Sequence, residues 1–167
     1  MGKVRVISIM PEKKNTKSIW AGIRKHLKGW ESAALLSLIK DLHDSSAGNR
    51  AFLHARITAA SGDGAALESY RKRVIEPFYP ARGEAKLKLG EARKAIREYH
   101  KATGDAAGTI ELLLAYSESG AEFTNEFGDI DERFYDSFGS AMDDLADRVR
   151  KEGETAWKTV APRLENW

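Results

Sequence analysis

The chain has 167 residues, 42% hydrophobic and 31% charged: long enough to bury a core of its own and too apolar for wholesale disorder. It has no cysteine, which excludes disulfides, thiolate zinc sites, iron–sulfur clusters and a cysteine nucleophile. The net charge of +2 conceals a division. Residues 1–104 hold 21 Lys+Arg against 10 Asp+Glu, a balance of +11, and residues 105–167 hold 6 against 15, a balance of −9. A basic half suits a polyanion, or the acidic half of its own chain or of a second copy.

Val4 to Met10 is apolar, but the run is too short for a secretory signal or a membrane span, and Pro11 cuts it. A cytoplasmic chain with no membrane role is expected. Lys3 to Ile9 partly alternates polar and apolar residues, a strand pattern with nothing to pair with. Residues 1–17 are therefore read as an N-terminal arm or linker and 18–167 as a single helical domain.

From Ser18 the helical period takes over. Ile19, Trp20, Ile23 and Leu27 share one face of a short helix ending near Gly29. Ser32 can cap a second helix, whose Leu35, Leu36, Leu38, Ile39 and Leu42 predict burial on a wide face. Ser45, Ser46 and Gly48 break it. A third helix carries Phe52, Leu53, Ala55 and Ile57 and stops at Ser61–Gly64. A fourth spans Ala65–Ile75, ended by Pro77 and Pro80, because proline lacks an amide donor and restricts the residue before it.

Phe78–Lys88 is the longest irregular stretch inside the domain. A fifth helix covers Leu89–Thr103, with Gly104 as its C-cap, and a sixth follows from Asp105 to about Phe127. Asp129 or Asp131 can cap a seventh, with the stripe Phe134, Phe138, Met142, Leu145 and Val149, interrupted at Gly153. A last helix holds Trp157, Val160 and Leu164. Short connections favour antiparallel neighbours. The expected fold is all-α: stacked antiparallel helical hairpins, as a bundle or a short α-solenoid.

Several short motifs resemble an uncharacterised bacterial all-helical family, a domain of unknown function. They are Lys25-His26-Leu27-Lys28, Leu38-Ile39-Lys40-Asp41-Leu42, Asn49 through Arg56, and Phe78 through Gly83. The most specific is Glu122-Phe123-Thr124-Asn125-Glu126-Phe127-Gly128-Asp129-Ile130, followed by Phe134-Tyr135. The resemblance runs from about Arg24 to Val160. It implies a helical, bacterial, intracellular protein and implies no activity.

Two charge ladders invite a chemical reading. Glu111, Glu118, Glu122 and Glu126 fall along one stripe of the sixth helix, with Asp129 and Asp131 at its end. Clustered carboxylates can hold a divalent cation, yet the Glu-x-x-His pairs of di-metal bundles and the calcium-loop pattern are missing from the sequence. Arg93, Arg97 and Lys101 stand four apart on the fifth helix, and Arg71, Lys72, Arg73 and Lys86 add to the positive field. These seven are the candidate residues for an anion or a partner. If the fifth and sixth helices turn at Gly104, Arg97 comes level with Glu111, Lys86 with Glu122 and Arg82 with Glu126, so the ladders can also neutralise each other.

The loop after the fourth helix supplies a candidate polar pocket of Tyr79, Arg82, Glu122, Asn125 and Glu126. His26, His43, His54 and His100 lack metal-ligand spacing, and there is no nucleophile elbow, Walker loop or dinucleotide glycine pattern. No catalytic, metal or cofactor residue is assigned. The expectation is a non-enzymatic interaction or scaffold module, self-associating through its oppositely charged halves or binding a protein partner. The alternatives are weak RNA or DNA binding through the basic half, and a divalent-metal site on the acidic helix.

Overall fold

The computed structural model describes residues 16–59, 64–82 and 87–165. Among them are eight α-helices and no strand. The arm expected at 1–17 lies almost wholly outside the described residues. The chain divides into two units, one ending at Ser45 and one beginning at Ser46, inside the span read as a single domain.

The first unit holds α1 (Thr16–Leu27) and α2 (Ser32–Ser45). Both are amphipathic, yet nothing from Ile19 to Ser45 is buried. The wide buried face predicted for α2 is therefore corrected: none of its residues is buried. Periodicity defines an apolar face, but burial needs a second surface, and α1 and α2 are not packed along one another.

The second unit runs α3 (Ala47–Thr58), α4 (Ala65–Ile75), α5 (Leu89–Thr103), α6 (Ala106–Phe127), α7 (Glu132–Glu152) and α8 (Glu154–Leu164). Each helix packs against the next, and α6 also packs on α4, which makes the unit a helical bundle. Local chemistry sets the boundaries. Ser46, Asp105 and Asp131 each accept a hydrogen bond from an amide in the first turn they cap: those of Asn49, Gly108 and Phe134. Gly104 ends α5 at φ 70°, and Gly153 at φ 79° closes α7 and opens α8 within one residue.

α6 is the core helix. Every residue from Leu112 to Ser117 is buried, because α4, α5 and α7 cover it from different sides. The order of contacts shows that α5 and α6 run antiparallel: His100 Nδ1 lies 3.2 Å from Thr109 Oγ1, and Arg93 lies over the Tyr116 ring at 5.9 Å. The α6–α7 pair is antiparallel too, with Phe123 beside Phe134 and the Tyr116 and Ser137 hydroxyls 2.7 Å apart. Phe78, Tyr116, Phe123 and Phe134 join in one aromatic cluster. The all-α fold expected from the sequence is the one observed.

Candidate functional site

The acidic ladder splits in two. Glu111 and Glu118 both face Arg163 in the last turn of α8. Arg163 donates through Nε and Nη2 to Glu118, at 2.6 and 2.5 Å, and through Nη1 to Glu111 at 2.5 Å. Glu118 chiefly, with Glu111, makes the guanidinium harder to deprotonate than usual, against the opposing effect of burial. Arg71 of α4 approaches Glu111 from the other side at 3.9 Å. Glu122 and Glu126 remain exposed. Asp129 accepts a hydrogen bond from the Tyr135 hydroxyl, and Asp131 is spent on the α7 cap. Among the described residues no three carboxylates or histidines come together as a metal cage.

The basic ladder is divided as well. Arg93 is turned in, over Tyr116 and toward Ser140 and Asp144 of α7, and burial makes its guanidinium easier to deprotonate than usual. Its Nη1 is buried without a hydrogen-bond partner among the described residues. Arg73 stacks over Tyr70 at 4.6 Å and donates to Glu98 at 2.8 Å. Arg71 pairs with Glu111, whereas Lys72, Arg97 and Lys101 face solvent. Lys86 lies outside the described residues. The axial register expected across Gly104 is present, but the Arg97–Glu111 pair is not. Arg97 makes no ion pair among the described residues, because Glu111 is rotated toward α4 and α8.

The loop pocket is partly assembled. Tyr79 packs its ring on Phe123 at 6.1 Å. Burial, with Glu122 and Glu126 nearby, pushes its hydroxyl pKa up. Asn125 is exposed on α6. Arg82 belongs to a different cleft of about 310 Å³, with Arg73, Glu76, Pro80, Lys88 and Glu91. Three basic and two acidic side chains line that cleft, and Lys88 and Glu91 pair with each other at 3.4 Å.

Two apolar surfaces stand outside these networks. One is a groove of about 450 Å³ between α7 and α8, floored by Leu145, Val149 and Val160 and edged by Met142, Trp157 and Leu164. The other belongs to the first unit. Ile19, Trp20, Ile23, Trp30, Leu36, Ile39 and Leu42 are all exposed there, Leu36 by 67% and Trp20 by 57%. Scattered exposed apolar residues are ordinary, but seven large ones within 24 positions are not. Their spacing is legible in the sequence; their exposure is not.

The chain matches no family model, no curated protein and no solved structure. No helix among the described residues is long and apolar enough to cross a membrane.

Proposed function

We propose that this chain is a non-enzymatic helical interaction module, in which the α3–α8 bundle is the scaffold and α1 and α2 are the docking elements. One observation carries the reading. α2 is amphipathic, has no buried residue, and exposes Leu36, Ile39 and Leu42 by 67, 44 and 49%. An apolar helical face left in water is unfavourable by roughly 25 cal/mol per Å², and a partner removes that cost. The opposite charges of the two stretches, +11 and −9, add long-range attraction beyond the ion pairs already closed inside the bundle. A cytoplasmic setting fits a chain with no cysteine, and a bacterial origin fits the motifs that resemble a bacterial helical family.

The test is the double variant Leu36→Glu/Leu42→Glu. Brightening of a hydrophobic dye, or the apparent mass in solution, should fall relative to wild type while the bundle's thermal melt stays unchanged. Equal dye brightening and equal mass in the two chains would defeat the reading.

A further inference from the structure

We infer that the partner of α1 and α2 is a second copy of the same two helices, so that two chains join through a four-helix arrangement. The inference rests on the docking reading above and adds the occupant. Three features select it. The first is the match of the faces. Ile19, Ile23 and Leu27 repeat every fourth residue on α1, with Trp20 beside them. Leu35, Leu38, Ile39 and Leu42 form the corresponding stripe on α2, with the exposed Leu36 at its edge. With 12 and 14 residues, the two helices have nearly equal length, so one can cover the other from end to end.

The second feature is charge. α1 carries Arg24 and Lys25 and no acidic residue, whereas α2 carries Asp41 and Asp44 with one lysine, Lys40. Lys40 is held by Asp44 at 2.5 Å, which leaves Asp41 facing solvent. α1 of one copy laid along α2 of the other meets apolar with apolar and basic with acidic. The same contact recurs on the opposite side, as two-fold symmetry requires. A basic amphipathic helix can also lie on an anionic lipid surface, but the acidic residues of α2 oppose that.

The third feature is area. The exposed Ile19, Trp20, Ile23, Leu36, Ile39 and Leu42, with the half-buried Leu27, Leu35 and Leu38, present on the order of 700 Å² of apolar surface. A stable two-body interface removes about 800 Å² from each partner. Within one chain α1 and α2 are not packed along one another, and much of this surface stays exposed.

The experiment is light-scattering mass across a concentration series on the full chain, with dye fluorescence alongside. Wild type should weigh twice the chain mass, and Ile23→Glu/Ile39→Glu should weigh one chain mass with an unchanged bundle melt. A charge exchange provides the second arm: Arg24→Glu with Lys25→Glu should weaken the dimer on the order of tenfold, and adding Asp41→Lys should restore it. A wild-type monomer that brightens the dye, with the brightening lost in Ile23→Glu/Ile39→Glu, overturns the second copy and leaves the docking reading standing. A wild-type monomer that does not brighten the dye overturns both. A dimer that survives Ile23→Glu/Ile39→Glu assigns association to another face and overturns the inference.

Discussion

Replacing Arg163 by methionine keeps most of the side-chain stem and removes the guanidinium that binds Glu118 twice and Glu111 once. The three side chains are 28, 25 and 26% exposed, so the cluster lies between surface and interior. A surface pair contributes about 0–1 kcal/mol, and breaking a buried one costs about 3–5 kcal/mol. At roughly one quarter exposure, with solvent screening discounted, the loss should be about 2 kcal/mol, or about 5 °C in Tm. Arg71, at 3.9 Å from Glu111, compensates little of it. Most of the loss is the stranding of two carboxylates. Adding Glu118→Gln to Arg163→Met should therefore recover about half, although Glu118→Gln alone is destabilising. Thermal melting followed by circular dichroism measures all four corners of the cycle. A shift below about 1 °C for Arg163→Met, or losses that simply add, would refute the reasoning.

Other substitutions probe the remaining networks. Gly108→Ala should cost about 2 kcal/mol in a urea titration, since a Cβ there falls on the Asp105 carboxylate and the Tyr99 hydroxyl and lies 2.9 Å from Tyr99 Cε1. Within the basic ladder, Arg93→Ala should cost about 1–2 kcal/mol, and the exposed Arg97→Ala should stay within about 0.5 kcal/mol by the same titration. Asp131→Ala removes the α7 cap and should cost about 1 kcal/mol. Burial chiefly raises the hydroxyl pKa values of Tyr70, Tyr99 and Tyr116, with Asp105 adding to the rise at Tyr99. Their contribution to stability is complete below about pH 10, the unfolded value, and is lost as pH rises toward the folded values. Of the five tyrosines the exposed Tyr79 and Tyr135 can ionise in the folded chain, so in an alkaline titration the tyrosinate absorbance of the other three should appear together with the loss of helicity; absorbance of all five while helicity is intact would contradict this.

The bundle's helices were largely legible because their ends carry local chemistry. Pro77 after α4, Gly104 between α5 and α6, and Gly128 after α6 are signals that act within a few residues. α3 was less legible, since Ser46 reads as a breaker of one helix and proves to cap the next. The facing of the ladders was legible only along the axis. The position of a turn sets which residues are level, so His100 meets Thr109. Rotation about the axis depends on the third layer, and the partner of Glu111 and Glu118 is Arg163, 45 residues beyond Glu118. Its one local signal is a basic residue in the last turn of α8, in a stretch with 6 basic and 15 acidic residues. The apolar face of α2 is legible in its period and its exposure is not, because a pattern in one helix carries no information on what covers it.

Peptide-resolved hydrogen exchange on the full chain, at high and at low protein concentration, tests most directly the claim that α1 and α2 are docking elements filled by a second copy. The account predicts that amides of Ile19–Leu27 and Leu35–Leu42 exchange slowly when concentrated and quickly when dilute, while those of α6 are equally slow in both. Exchange in α1 and α2 that does not depend on concentration would contradict it.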